Sequence, residues 1–236
     1  MAGAERRFKY YDIIMVAFVV VLLCSNFFGA AKQVQIWLPL IGPVTFGAAV
    51  LFFPISYIFG DILTEVYGYG RDRRAVWAGF AALAFASAVA FIITRLPTGP
   101  SEFMKVYQPA LEMVFGMGPR IAAASMLAFW CGSFINSYVL AKLKIWTNGR
   151  WLWTRTIGST LVGQAVDTVL FYSTAFYGIW ATPDLIKIAI AQYILKTSYE
   201  IAMTPVTYRV IAFLKSAEGE DHYDHDTNFS PFHVGV

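Results

Sequence analysis

The chain has 236 residues, of which 58% are hydrophobic and only 14% charged, and its formal net charge is +3. Because a soluble domain carries roughly 25% charged residues, this composition excludes an ordinary water-soluble globular protein and indicates an integral membrane protein. The small net charge gives no reason to expect a nucleic-acid partner, so the first predicted partner is the lipid bilayer.

Six segments have the length and apolarity of membrane-crossing helices, which need about 20 residues for a hydrocarbon core of ~30 Å. They lie at residues 11–31, 46–67, 75–94, 120–140, 156–180 and 185–214. The first is longer than the apolar core of a signal peptide, roughly 7–15 residues, so we interpret it as a retained helix. The predicted fold is an all-α integral membrane protein, a six-helix bundle formed by residues 1–215.

The connections between these spans are predicted from proline and glycine. Residues 36–45 contain Pro39, Gly42 and Pro43 and should form a short turn or a re-entrant segment, and residues 109–115 a short interfacial helix. The last span would be about 45 Å long, so a tilt or a break at Pro205 is expected. Residues 216–236 are acidic at first and hold all three histidines, which predicts a solvated, poorly ordered tail.

The orientation of the chain follows from its lysines and arginines, which are enriched in cytoplasmic segments of membrane proteins. In the six-span arrangement, 12 of the 18 lie on the side that holds both termini, and 5 lie on the other side. We therefore predict that the N- and C-termini are cytoplasmic.

Three predicted spans carry polar side chains at helical spacing. Residues three or four apart share one face of a helix. The polar stripes comprise Tyr57, Asp61 and Glu65 on the second span, Gln164, Asp167 and Phe171 on the fifth, and Gln192, Lys196 and Glu200 on the sixth. Ionisable groups are costly against lipid, so we predict that the stripes converge on a common interior.

One interpretation of these stripes is purely structural. Lys196 could neutralise Asp167 or Glu200 and only hold the helices together. The four acids of the stripes, however, outnumber this one deep base. The excess must be protonated or matched by a ligand rich in hydrogen-bond donors, and both outcomes indicate transport.

The side chains indicate the chemistry of such a ligand. A carboxylate can accept two parallel hydrogen bonds from adjacent N–H groups of a planar heterocycle. Amides such as Asn26, Asn136 and Gln164 suit a mixed donor–acceptor edge, and Tyr57 or Tyr199 offers a stacking face. The predicted ligand is thus a flat small molecule, and no cofactor, metal site or catalytic residue is predicted.

Three stretches carry a resemblance to a known family. Residues 53–74 read FPISYIFGDILTEVYGYGRDRR, residues 155–171 read RTIGSTLVGQAVDTVLF, and residues 193–210 read YILKTSYEIAMTPVTYRV. Together with the segment from Asn26 to Lys32, they resemble the queuosine precursor transporters, six-helix proteins of the bacterial inner membrane that are also described as vitamin-uptake-like.

The resemblance implies multi-pass insertion in the inner membrane and salvage of a 7-deazaguanine base, preQ0 or preQ1, for tRNA modification. Because Glu200 and Asp167 lie deep, we expect one of them to meet the guanine edge. We assign Asp61 and Glu65 to gating or the cytoplasmic mouth, with Arg71 and Arg155 as their possible partners. The full set of predicted substrate-site residues is Asn26, Lys32, Tyr57, Asp61, Glu65, Asn136, Gln164, Asp167, Phe171, Gln192, Lys196, Tyr199 and Glu200.

Two alternatives remain open at this point. The chain could be the substrate-binding subunit of an ATP-driven vitamin importer, since it is small and carries no ATP-binding motif of its own. It could also be an intramembrane enzyme, but it has no HExxH or GxSxG motif and no histidine in a predicted span, so we expect no enzymatic activity. A homo-oligomer is compatible with either form of transport.

Overall fold

The computed structural model describes residues 8–28, 33–38, 42–115, 119–179 and 181–233. Within these ranges the chain is mainly helical. The elements are α1 (Tyr11–Phe27), β1 (Gln33–Leu38), β2 (Gly42–Gly47), a 3-10 turn (Ala48–Leu51), α2 (Phe53–Tyr67), α3 (Tyr69–Arg95), α4 (Glu102–Phe115), α5 (Pro119–Trp146), α6 (Leu152–Phe176) and α7 (Thr182–Glu218).

Three of the described stretches are long and apolar enough to cross a membrane. They are Ala48–Tyr67, Tyr69–Arg95 and the range Glu102–Trp146, in which residues 116–118, between α4 and α5, lie outside the described residues. Helix α1 is apolar but has 17 residues, whereas α6 and α7 have 25 and 37 residues and carry several polar side chains. Six crossings and two cytoplasmic termini therefore stay predictions.

A short β-hairpin departs from the all-helical prediction. Strands β1 and β2 pair antiparallel, from Gln33 opposite Gly47 to Leu38 opposite Gly42. A hairpin thus takes the place of the turn or re-entrant segment expected at 36–45. The predicted start of the second span, residue 46, lies two residues before the apolar stretch Ala48–Tyr67. The signal was present in residues 33–38, which alternate between polar and apolar side chains for part of their length. Gly42, with φ +85°, occupies the left-handed region at the hairpin turn.

Three prolines, Pro54, Pro109 and Pro205, lie within helices. Pro54 lies in the first turn of α2, where a missing N–H group costs nothing, so it starts the helix instead of bending it. Helix α7 continues through Pro205 without a break, and α4 contains Pro109 and begins seven residues before the predicted interfacial helix. The excess length of the last helix is therefore accommodated within one continuous element.

Besides its buried apolar core, the protein exposes many large apolar side chains and buries many polar ones. Large apolar side chains such as Phe85, Ile92 and Val169 are exposed on the outer faces of α3 and α6. Many polar residues are buried, among them Asp61, Glu65, Asp167 and Glu200. This distribution is stable only where lipid covers the outside of the bundle.

The C-terminal segment, residues 219–233, packs against the helices, so the prediction of a solvated, poorly ordered tail is wrong for these residues. Arg73 on α3 donates to the carbonyls of Asn228 (2.7 Å) and Ser230 (3.0 Å), and the Trp77 indole donates to Pro231 (2.8 Å). Polar groups of this segment bind a helix end and basic side chains, and these contacts are not visible in its composition.

Candidate functional site

The central polar site contains one neutralised ion pair. Lys196 on α7 lies 2.8 Å from Asp167 on α6, and both side chains are largely buried. The ammonium group also lies 4.4 Å from the centroid of the Phe53 ring at the start of α2. The ion pair leaves Asp167 with its charge compensated, as the structural interpretation of Lys196 expected.

Two further carboxyl groups at the centre are paired with amides. Asn136 on α5 donates a hydrogen bond of 2.7 Å to Asp61, and Gln164 on α6 donates one of 2.8 Å to Glu200. All four side chains are buried. Neither Asp61 nor Glu200 forms an ion pair among the described residues, so amides and not cations are the side-chain partners shown for these two acids.

Two glycines make this convergence possible. A Cβ atom on Gly163 of α6 would lie 2.8 Å from the Cβ of Asn136 and 3.1 Å from the carbonyl oxygen of Gly132 on α5. A Cβ atom on Gly132 would collide with the Tyr57 hydroxyl and lie 2.9 Å from the Cβ of Asp167. Because small residues let two helices approach closely, this crossing brings Tyr57, Asn136 and Asp167 together.

Several buried polar atoms around this centre have no hydrogen-bond partner among the described residues. Two are the carbonyl oxygens of the pairing amides, Asn136 and Gln164, and two are the hydroxyls of Thr168 and Thr197. Unpaired buried polar groups are costly, and most native ones bind protein or water. This set therefore offers acceptors and donors to a polar ligand.

The centre is closed in this structure. The cavity beside it, lined by Ser56, Tyr57, Gly60, Asn136 and Ser137 among others, has a volume of about 10 Å³. That volume holds about one water molecule. A ligand larger than one water molecule therefore fits here only if the acid–amide pairs separate.

A larger cavity lies elsewhere, between α1, α3 and α4. Its volume is about 440 Å³, and its walls are almost wholly apolar, including Phe27, Phe85 and Phe115. The Thr94 hydroxyl in its wall already donates to the backbone of its own helix. Without acids or amides this cavity cannot orient a base, so it is not the candidate site.

A second cluster of buried charge surrounds Glu65 at the end of α2. Arg155 forms two hydrogen bonds with this carboxylate, Nε to Oε2 at 2.8 Å and Nη2 to Oε1 at 2.7 Å. Lys215 lies 2.5 Å from Oε1, and Lys144 donates to the Glu65 carbonyl at 2.7 Å. Glu65 is therefore bound by three cations and is not part of the central acid–amide group.

The tail completes this cluster. Asp221 lies 2.6 Å from Lys144 and 2.7 Å from Lys215, and the carbonyl of His222 accepts a further bond of 2.7 Å from Lys144. Burial alone would raise the pKa of Asp221, but its hydrogen bonds with the two lysines outweigh that effect and lower it. Sequence reasoning missed Lys144, Lys215 and Asp221, since no local spacing connects them.

Asp224 caps helix α3 from the tail. Both of its carboxylate oxygens lie 3.1 Å from the backbone nitrogen of Tyr69, the first residue of the helix. Burial raises the pKa of Asp224, but hydrogen bonds from His222, Thr227 and Tyr69 outweigh it, so the net shift is downward. A carboxylate at a helix N-terminus also faces the positive end of the helix dipole. The tail thus binds the N-terminus of α3, which directly follows Gly68.

The remaining predicted site residues lie away from the centre or lack a described contact with it. Asn26 donates to the carbonyl of Leu22 and accepts from Ser125, and the Phe171 ring packs edge-on against Tyr172 and Phe176.

Arg71 donates to the Tyr67 carbonyl and stacks on Phe8, so it is not the partner of Glu65. Gln192 and Tyr199 are half-buried, and the structure gives neither a side-chain hydrogen bond, whereas Lys32 lies outside the described residues.

These features define a helical membrane protein with a closed polar centre and a charged cluster sealed by its own C-terminal segment. The chain belongs to the family described as "putative vitamin uptake transporter", whose model matches residues 47–210.

Two curated relatives are similar over long stretches. The "Probable queuosine precursor transporter" of Bacillus subtilis (strain 168) is 34% identical over 149 residues, which cover 63% of this chain and 64% of that protein. The "Queuosine precursor transporter" of Escherichia coli (strain K12) is 26% identical over 215 residues, covering 87% and 88%. No solved structure matches the chain.

Proposed function

We propose that this protein imports a queuosine precursor, a 7-deazaguanine base such as preQ0 or preQ1, across the bacterial inner membrane for salvage into tRNA. The names of both curated relatives support this substrate class. The observation that carries the proposal is the pair of buried acid–amide contacts, Asp61 with Asn136 and Glu200 with Gln164. No enzymatic activity is part of the proposal.

The chemistry of the base matches these groups. A 7-deazaguanine has adjacent ring N–H and exocyclic NH₂ donors, which fit the two oxygens of one carboxylate, and a carbonyl that accepts a hydrogen bond. In the proposed complex Glu200 accepts from the two donors in place of Gln164, and the released amide or Lys196 donates to the carbonyl. The base thus replaces a contact within the protein, so binding and separation of the helices are coupled.

We assign the cytoplasmic gate of the proposed transport cycle to the charged cluster around Glu65. In the proposed cycle Arg155, Lys144 and Lys215 hold α2, α5, α6 and α7 together at the cytoplasmic mouth, and Asp221 closes them from below. Release of the base into the cytoplasm then requires the tail to leave the cluster. Asp221→Asn should weaken this closure and speed exchange of base across the membrane.

The test is uptake of radiolabelled 7-deazaguanine by cells that lack both precursor synthesis and their own importer. The wild-type gene alone should restore uptake, and Glu200→Gln should reduce it at least about tenfold, because one lost charge-assisted contact is worth roughly 1.5–3 kcal/mol. Glu102→Gln, which changes an exposed acid on α4, is the matched control and should leave uptake unchanged.

Wild-type uptake by both Glu200→Gln and Asp61→Asn would remove the acid–amide pairs from the site. Uptake by the wild-type protein only when an ATPase partner is supplied would favour the importer-subunit alternative.

A further inference from the structure

Asp72 is a buried acid within the stretch 53–74, and the proposed base site does not use it. It lies in the first turn of α3 and has no exposed surface. Ser137 on α5 donates a hydrogen bond of 2.5 Å to its Oδ2. Its other oxygen, Oδ1, has no hydrogen bond among the described residues, although the Thr64 hydroxyl lies nearby. The neighbouring Arg73 is directed to carbonyls of the tail.

A water-sized cavity lies between the hydrogen-bond partners of Asp72 and Asp61. This cavity, of about 10 Å³, is lined by Gly60, Asn136 and Ser137, so the residues that hydrogen-bond Asp61 and Asp72 both border it. A Cβ atom on Gly60 would lie 3.9 Å from Oδ1 of Asp72. Asp72 is thus packed against the backbone of α2 beside Asp61, with space for one water between their partners.

The surroundings of Asp72 do not compensate a negative charge. The titratable and polar groups that act on it from the packed elements are Tyr11 on α1, Asp61 and Thr64 on α2, Tyr69 on α3, Ser137 on α5 and Asp224 in the tail. The acids among them repel a carboxylate, and the described ion pairs include none to Asp72. An unpaired buried carboxylate costs several kcal/mol, so this closed conformation favours the protonated acid.

We propose that Asp72 is the proton-binding site that couples import of the base to inward movement of one proton. This rests on the proposed transport function. When the central site faces outward, a proton arrives by way of Asp61 and the water-sized cavity and forms an O–H bond on the Asp72 carboxylate. When the tail leaves the start of α3, that bond is broken and the proton passes to cytoplasmic water. No bond in the base changes.

The test uses the purified full-length protein in proteoliposomes with radiolabelled 7-deazaguanine. Net accumulation is measured under an inward proton gradient, and exchange of labelled for unlabelled base is measured at equal pH. For one proton per base, a gradient of one pH unit should give about tenfold accumulation by the wild-type protein. Asp72→Asn, which mimics the protonated acid, should keep exchange within about twofold but lose the accumulation. Asp12→Asn, at an exposed acid on α1, should behave as wild type.

Each result decides the question. Exchange without gradient-driven accumulation by the wild-type protein, or accumulation by Asp72→Asn, would overturn the proton site and leave the transport function standing. Absence of both exchange and accumulation in the wild type would overturn the transport function itself and the proton site with it. If Asp72→Asn does not fold, the variant Ser137→Ala is tested in its place, because it leaves the Asp72 carboxyl group intact. Its half-maximal pH for accumulation should move upward, because the donor that favours the ionised carboxylate is gone, and an unchanged profile would contradict the proposal.

Discussion

The contact between Arg155 and Glu65 is the interaction whose removal should cost the most stability. Both side chains are at most 2% exposed, and the guanidinium makes two charge-assisted hydrogen bonds of 2.7 and 2.8 Å to the carboxylate. Arg155→Met preserves much of the apolar volume but leaves Glu65 with only lysines as partners. Breaking a buried pair from one side costs about 3–5 kcal/mol, and Lys215 at 2.5 Å and Lys144 at 3.4 Å place the expected loss near the lower end.

The measurement is the apparent midpoint of thermal unfolding in detergent, compared at one scan rate because membrane proteins often unfold irreversibly. For a chain of this size 1 kcal/mol shifts the midpoint by roughly 2–4 °C, so Arg155→Met should lower it by about 6–12 °C. The double variant Glu65→Gln with Arg155→Met should be less damaging than the sum of the single variants, because no uncompensated carboxylate remains.

The exposed pair of Lys105 and Glu102 on α4 provides the control. Its side chains are 69% and 87% exposed, and Lys105→Met should cost less than about 1 kcal/mol. The reasoning fails if Arg155→Met costs no more than this control, or if the two single variants of the buried pair are simply additive.

Two further predictions concern the helix crossing and the tail. Gly163→Ala should lower stability by about 1–3 kcal/mol and reduce base uptake, since the new methyl group meets Asn136 and the α5 backbone, whereas Gly99→Ala, with open space around it, should be neutral. The folded-state pKa of Asp224 lies below its ordinary value of 3.8, so its stabilising cap is complete above that pH and is lost as the pH falls through the folded pKa. The protection factor of the Tyr69 amide against hydrogen exchange, relative to the intrinsic rate at each pH, should fall only in that acidic range, and loss of protection at neutral pH would contradict it.

The spacing of polar residues predicted the convergence of three helices but not the partner of each acid. Positions three and four apart placed Gln164 with Asp167 and Lys196 with Glu200 on common faces, and the structure pairs them across α6 and α7. The amide partner of Asp61 comes from α5, whose polar residues Ser133, Asn136 and Ser137 were not among the predicted stripes. Pairing between distant helices depends on how closely their backbones approach, and that is not encoded in periodicity.

The tail and the hairpin were missed for a related reason. The polar composition of residues 219–233 is typical of a solvated segment. Two of the groups that hold it, Lys144 on Asp221 and the Tyr69 amide on Asp224, are 77 and 155 positions away in the chain. The hairpin was missed because Pro39, Gly42 and Pro43 indicate a turn but do not show that short strands lie on either side of it. The expected pairing of Arg155 with an acid is found, with Glu65 as the partner, whereas Arg71 binds the Tyr67 carbonyl instead of an acid.

The glycine contact between α5 and α6 also decides which parts of the bundle can rearrange. With Gly132 and Gly163 in backbone contact, any sliding of one helix along the other would push a larger neighbouring side chain into the crossing point. We therefore expect the two helices to move together in the proposed transport cycle. The movement should then be made by α2 and α7, whose inward faces carry Asp61 and Glu200. We expect these two helices to pivot along their interface with α5 and α6.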